Sequence, residues 1–123
     1  MKSDTKIKIP ICPISINTAW QGRRFKTPKY IQYEEDVKNI LLQYRRVYFD
    51  SWVLLAYKFW IKNYKMTDVG NLEKALTDIV VSSGILKDDR YIKKITLEKF
   101  PAETKNDQRI ELIISEYDGE DSA

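Results

Sequence analysis

The stretch DVGNLEKALTDIVVSSGILKDD, from Asp68 to Asp89, contains most of the information in this sequence. An aspartate opens it, Lys74 follows within a few residues, and a second acidic pair closes it at Asp88 and Asp89. Between them the apolar residues recur at helical spacing, which predicts an amphipathic helix from about Asn71 to Ser83. Gly84 follows as a typical C-terminal cap. Carboxylates and an ammonium group around one helix therefore define the first candidate site.

The segments around this helix predict a single α+β domain with a mixed sheet. Lys6 to Ile11 alternates charged and apolar residues, as a half-buried strand does, and Pro10 and Pro13 place it near a sheet edge. A first helix begins at about Tyr30 after a loop over residues 14–29. Three further strands are predicted, in the order β-α-β-α-β-β overall: Trp52 to Ile61, Tyr91 to Phe100 and Arg109 to Glu116. The last two would form an antiparallel hairpin.

Composition excludes several kinds of site. The chain has 123 residues and no histidine, so histidine-dependent triads and histidine-ligated zinc sites are excluded. Cys12 is the only cysteine, so no intrachain disulfide can form, and we expect a buried, inert thiol in a reducing cytoplasm. No apolar run approaches the roughly 20 residues of a membrane span. Any hydrolytic chemistry must use carboxylates, lysines and a bound metal.

The charge distribution suits a polyanionic partner. The formal net charge is +3, but residues 1–117 hold 21 basic and 15 acidic residues, which gives +6. The last six residues carry Asp118, Glu120 and Asp121 without a base, so we expect a flexible acidic tail. A small basic domain of this kind favours nucleic acid as a partner. Many proteins with this balance bind none, so composition alone leaves the question open.

Asp68 and Asp89 could share a divalent cation. The predicted helix separates them by about 20 Å, and residues 84–89 can return by a similar distance if nearly extended. Asp89 would then begin the next strand beside Asp68. Two adjacent carboxylates repel unless a cation lies between them, and Mg²⁺ or Mn²⁺ prefers such oxygen ligands. Lys74 could then reach a phosphate, whereas Asn71 is expected to cap the helix.

Each of these features also has an ordinary structural interpretation. Aspartates before helices are common caps, and an Asp-Asp pair is common in turns. Asp78 is expected to be solvated or paired with a base. In the loop, Trp20 and Phe25 lie among Arg23, Arg24, Lys26 and Lys29; these residues could bind a phosphate backbone and stack on bases. The alternative is a solvated loop whose aromatic residues pack on the core. Trp52, Tyr57, Phe59 and Trp60 are expected to be core or dimer contacts.

Several motifs in this order resemble the RusA family of Holliday-junction resolvases, which are small phage and prophage endodeoxyribonucleases. The resemblance covers nearly the whole chain. It includes an early S-x-N (Ser15, Asn17), the basic loop, and the D-x-x-N-L-x-K-A-L segment that starts at Asp68. It continues through Gly84, the Asp88–Asp89 pair and the final segment RIELIISE.

This resemblance implies a homodimeric, Mg²⁺-dependent enzyme with a mixed α/β fold that cuts four-way DNA junctions in the bacterial cytoplasm. The family's catalytic acids correspond to Asp68 and Asp89 and its essential lysine to Lys74. Asp68, Asp89 and Asp88 are the expected metal ligands. Charge and position suggest the DNA-binding residues Asn17, Arg23, Arg24, Lys26, Lys29 and Lys65. Residues 1–117 would be the nuclease domain.

One departure from the family pattern affects the metal site. The best-known members read D-x-D-N, and the second acid corresponds here to Gly70. A metal ligand is therefore missing or comes from another residue, such as Asp88 or Glu73. An active nuclease is favoured because Asp68, Lys74 and Asp89 are all present. Two alternatives stay open: a branched-DNA-binding protein with weak or no cleavage, and a small phage interaction protein whose basic loop is merely solvated.

Overall fold

A computed structural model describes residues 4–21, 25–44 and 47–117 of the chain. The strands are β1 (Thr5–Ile9), β2 (Trp20–Gln21), β3 (Phe25–Lys26), β4 (Val53–Ile61), β5 (Ile92–Pro101) and β6 (Arg109–Glu116), and the helices are α1 (Pro28–Leu41) and α2 (Val69–Ser82). The predicted order of main elements and the α+β class are confirmed. The acidic tail, residues 118–123, lies outside the described residues.

A four-stranded mixed sheet in the order β1-β6-β4-β5 forms the centre of the molecule. β4 pairs parallel with β5 and antiparallel with β6, and β6 pairs antiparallel with β1. β1 is therefore an edge strand, as its prolines predicted. Both helices pack their apolar faces against the same side of the sheet, so one core lies between the two layers.

β4 shows why only one side of the sheet is covered. Its odd-numbered residues, Val53 to Ile61, are buried against the helices, and the even-numbered residues between them are half-exposed. The prediction of a well-buried strand is thus right for one face only. Tyr57 and Phe59 lie in the core as expected, whereas Trp60 stacks on Phe100 on the open face, with ring centroids 4.9 Å apart. The side chain of Trp52 is 42% exposed.

Both helices begin and end at recognisable caps. Thr27 caps α1 by accepting a hydrogen bond from the Tyr30 backbone N–H, and Pro28 occupies the first turn. Asp68 caps α2, so the prediction that Asn71 caps it is wrong. Asp68 has an extended backbone, and its side-chain carboxylate accepts a hydrogen bond from the Gly70 N–H in the first turn, whereas Asn71 is already inside the helix. After α2, Gly84 adopts φ of 89°, the left-handed conformation predicted for it.

The predicted hairpin of the last two strands is wrong. β4 lies between β5 and β6, and the connection crosses its end, where the Ala102 N–H donates to the Ile61 carbonyl at 3.0 Å. Because α2 returns the chain to the start of β4, β5 runs parallel to β4. The other edge of β4 then accepts β6. Side-chain alternation identifies both strands but does not indicate which edge each one joins.

Two smaller expectations are corrected as well. The segment over residues 14–29 is not wholly a loop, because β2 and β3 pair antiparallel within it and Ile16–Thr18 forms a 3₁₀ turn. Cys12 is exposed and not buried, since Pro10 and Pro13 turn the chain away from the sheet after β1. Among the described residues, no helix has the length and apolar character needed to cross a membrane.

We predict that the buried face of α2 dominates stability. Leu76 is fully buried, so Leu76→Ala should lower the free energy of unfolding by about 2–5 kcal/mol. Leu42 is 60% exposed, and Leu42→Ala should change the free energy of unfolding by less than about 0.5 kcal/mol. Urea unfolding of both variants checks this difference. Equal effects would contradict the assignment of the core.

Candidate functional site

Asp68 lies where the chain leaves a solvent-exposed segment and enters α2. This segment, residues 62–67, follows β4 and contains a 3₁₀ turn at Tyr64–Met66. The Asp68 side chain accepts a hydrogen bond from the Gly70 backbone N–H through Oδ1 at 2.9 Å. No described residue donates to its other oxygen, Oδ2. The cap therefore holds the carboxylate in place and leaves an oxygen available for a cation.

Asp89 lies at the start of another 3₁₀ turn, Asp89–Tyr91, just before β5. Asp88 caps this turn by accepting from the Arg90 backbone N–H at 3.2 Å. A hydrogen bond between the two carboxyl groups raises the pKa of Asp89, and the charge of Asp88 acts in the same direction. The bond to the Arg90 backbone lowers the pKa of Asp88. Asp89 is exposed and Asp88 is half-exposed, and their pKa values shift in opposite directions.

Asp68 and Asp89 do not meet within one chain. Asp68 follows the C-terminal end of β4, whereas Asp89 precedes the N-terminal end of β5, and these strands are parallel, with Val53 opposite Ile92. The two acids therefore lie at opposite ends of α2, whose 14 residues span about 21 Å. The prediction that Asp89 begins the next strand beside Asp68 is wrong. It requires the end of β4 to lie beside the start of β5, and in a parallel pair these lie at opposite ends.

The acid nearest to Asp89 on α2 supports this placement. The negative charge of Asp78 contributes to the raised pKa of Asp89, and Asp78 lies ten residues after Asp68 on the helix. Burial is the largest of the causes that raise the pKa of Asp78 itself, followed by the charge of Glu73. Within residues 4–21, 25–44 and 47–117, no group of three or more acidic or cysteine side chains could hold a metal ion.

The first turns of α2 show what the glycine at position 70 changes. A Cβ built on Gly70 would lie 3.2 Å from Asp68 Oδ1, so a side chain there requires a small shift of the Asp68 carboxylate. Lys74 is exposed and lies four residues after Gly70, on the same face of the helix. Glu73, a possible substitute ligand, accepts a hydrogen bond from the Thr77 hydroxyl at 2.6 Å, and Thr77 contacts the Tyr57 hydroxyl. Glu73 is thus directed toward the sheet.

A cavity of about 240 Å³ lies beside the N-terminal end of α2. Its only charged lining residue among those described is Lys29, and no acidic side chain lines it. Asn63 and Gln108 also line it, and neither could be predicted from the sequence because amides carry no distinctive spacing. Gln108 is fixed by hydrogen bonds to the Lys62 N–H and the Lys105 carbonyl. A larger cavity of about 310 Å³ lies at the other end of α2, near Gly84, and has no acidic lining residue.

The predicted DNA-binding residues separate into three groups. Asn17 and Lys29 are exposed near the 240 Å³ cavity, and Lys65 is exposed in the segment before Asp68. Ser15 accepts from the Asn17 backbone N–H at 3.1 Å, so the S-x-N motif forms a turn. Lys26 forms an ion pair with Glu34 at 3.0 Å, which makes it a weaker candidate. Arg23, Arg24 and the side chain of Trp20 lie outside the described residues, and Phe25 is 70% exposed.

Comparison with known protein families decides the family. A family model described as endodeoxyribonuclease RusA matches residues 15–115. This match covers most of the chain, from the Ser15 turn through β6. The chain belongs to the RusA family. A search of curated proteins finds no match. RusA membership confirms the resemblance and points to an endodeoxyribonuclease, and Asp68, Lys74 and Asp89 all fall within the matched residues.

We predict that the two roles of Asp68 in a RusA-family chain can be separated. Asp68→Ala removes the cap and should lower the free energy of unfolding by about 0.5–2 kcal/mol. Asp68→Asn retains a side-chain acceptor and should stay close to the unsubstituted protein. Thermal or urea unfolding of both variants is the measurement. An equally destabilised Asn variant would show that the carboxylate charge, and not the cap, stabilises the helix.

Proposed function

We propose that this protein is a metal-dependent crossover junction endodeoxyribonuclease. It would act as a homodimer and resolve four-way Holliday junctions by paired hydrolysis of phosphodiester bonds. The observation that carries the proposal is the RusA family match, which includes Asp68, Lys74 and Asp89. A junction is resolved only when two opposed strands are cut, so two linked subunits suit the reaction.

The separation of Asp68 and Asp89 supports a site shared between two chains. β5 is an edge strand of the sheet, and its outer edge has no partner strand among the described residues. A second copy paired antiparallel along this edge would place the start of one β5 beside the end of the other. Asp89 of one chain would then approach the end of the partner's sheet that carries Asp68. The same symmetry would create two sites per dimer.

The donor groups suit a hard divalent cation. Asp68 retains a carboxylate oxygen outside its cap, and Asp89 with Asp88 offers further exposed oxygens at the shared site. Mg²⁺, or Mn²⁺ in its place, would supply Lewis-acid polarisation of the phosphate there. The carboxylates would orient the attacking water. Lys74 would stabilise negative charge on the phosphate in the transition state.

The surface near Asp68 is suited to the DNA backbone. Lys29 lines the 240 Å³ cavity, no acidic side chain among the described residues does, and Asn17 and Lys65 are exposed in segments whose neighbouring residues line it. Phosphates approaching Asp68 from this side would meet ammonium and amide groups first. These residues would hold junction arms while Asp68 and Lys74 act on the scissile group, and binding would weaken steeply with salt.

Cleavage of a labelled four-way junction tests the proposed activity. We predict paired nicks in Mg²⁺ or Mn²⁺, and none in EDTA. Asp68→Asn or Asp89→Asn should abolish cleavage and leave junction binding intact or tighter, because less negative charge then faces the phosphates. Asp36→Asn, on α1, is the matched control and should cut normally. Normal cleavage by both site variants would reject these assignments.

Mixing the two inactive variants tests whether each site combines Asp68 of one chain with Asp89 of the other. A heterodimer of Asp68→Asn and Asp89→Asn chains would contain one intact site, with Asp68 from one chain and Asp89 from the other. It should therefore nick one strand without resolving the junction. If both acids of a site came from one chain, every site would be defective and the mixture would be inactive.

A branched-DNA-binding protein with weak or no cleavage is the second candidate, and Gly70 is the observation that favours it. We predict that Gly70→Asp increases the cleavage rate, because it adds a carboxylate one turn before Lys74 and beside Asp68. The required shift of Asp68 is a few tenths of an ångström, since the added Cβ would meet only one of its carboxylate oxygens, at 3.2 Å. Gly70→Ala is the control, because it adds the Cβ without the charge. Equal rates for both variants would show that position 70 does not supply a ligand.

A further inference from the structure

Lys99 connects β5 to the segment that carries Asp68. Its ammonium group donates hydrogen bonds to the backbone carbonyls of Tyr64, at 2.8 Å, and Thr67, at 3.1 Å. The same nitrogen lies 4.8 Å from the centre of the Tyr64 ring. Thr67 is the residue immediately before Asp68. One half-buried side chain thus bonds to both ends of the turn that leads into the site.

The ammonium group of Lys99 has no acidic partner among the described residues. Its contacts there are two carbonyl oxygens and an aromatic face, which together replace part of its hydration. The two bonds also give the carbonyls hydrogen-bond donors, because a short 3₁₀ turn leaves backbone acceptors without partners in the turn itself. Charge-assisted hydrogen bonds of this kind are stronger than neutral ones.

Apart from Lys99, the other described polar connection of residues 62–67 to the body of the domain is at their start, where the Lys62 N–H donates to Gln108 at 3.1 Å. Met66 is 79% exposed, and Lys62, Asn63 and Lys65 are exposed as well. The Thr67 hydroxyl donates to the Asn63 carbonyl at 2.7 Å, but this bond lies within the segment. Tyr64 is half-buried, and its ring contacts the same lysine. Lys99 is therefore the main polar connection from the 3₁₀ turn and Thr67 to the sheet within the described residues.

We propose that Lys99 is a positioning residue, which fixes the backbone entering Asp68 so that its carboxylate has one orientation. This inference rests on the proposed function, because it assigns a catalytic consequence to the orientation of Asp68. Lys99 acts through Thr67 and the turn, without contact with substrate. The strand that carries Asp89 at one end thereby orients Asp68 from its other end.

Substitution of Lys99 tests the proposal. Lys99→Met keeps the aliphatic stem and removes the donors, and it should lower kcat by about 10- to 100-fold, the effect of misplacing a reacting group by about 1 Å. Junction binding, measured without a catalytic metal, should change by less than about twofold. Lys99→Arg keeps charge and donors and should recover most of the rate. Lys8→Met, exposed on the far edge strand β1, is the matched control for loss of charge.

Hydrogen exchange of the peptide covering residues 62–71 provides a readout that does not depend on cleavage. Lys99→Met should accelerate exchange there, and Lys99→Arg should not. If Lys99→Met does not fold, Lys99→Gln takes its place in both measurements. A normal kcat, or parallel losses of binding and kcat, would overturn the positioning role. If the unsubstituted protein cleaves no junction, the proposed function fails. In that case, unchanged exchange of residues 62–71 in Lys99→Met would overturn the inference as well. Faster exchange would support the conclusion that Lys99 holds the turn before Asp68.

Discussion

The parallel alignment of β4 with β5 is the constraint on which the other features depend. Because α2 returns the chain to the start of β4, the residues before β5 lie at the opposite end of the sheet from the residues after β4. This separates Asp89 from Asp68 by about the length of the helix. In the strand order, β5 lies at the edge and β6 occupies the other side of β4. The proposed dimer uses the same arrangement, since a second chain paired along β5 would bring the two ends together.

The elements of this fold could be predicted from sequence to a large extent, whereas the pairing of its strands could not. Helical spacing located α2 to within two residues of its start, because Leu72, Leu76 and Ile79 must share one face. Gly84 was predictable because its conformation disfavours other residues. By contrast, β6 alternates identically whether it pairs with β5 or β4. The capping residue was misassigned because Asp68 and Asn71 are both good caps, and backbone geometry decides between them.

The candidate site was predictable as a set of residues but not as an arrangement. Asp68, Lys74 and Asp89 could be recognised by their chemistry and by the family motif. Their arrangement depends on strand direction and, in the proposed dimer, on a second chain, neither of which a single sequence expresses. Asn63, Gln108 and Lys99 were missed for a different reason. Amides and a strand lysine carry no spacing signal, and their contacts join segments far apart in sequence, such as Lys99 with Thr67.

The two halves of the proposed site differ in how firmly the chain holds them. Asp68 is fixed by its bond to the Gly70 N–H and by the Lys99 contacts just before it. Asp89 is exposed and Asp88 is half-exposed, and the only described bonds that hold them are within their own turn, so their arrangement can change when a cation or a partner arrives. In the proposed dimer, a cation bound by both halves would stabilise the paired chains by mass action, because it would bind neither half alone as well. In the proposed enzyme, metal binding and dimer formation therefore favour each other. A monomer would hold an oriented Asp68 with no second carboxylate beside it, and its two acids could not act on one phosphate.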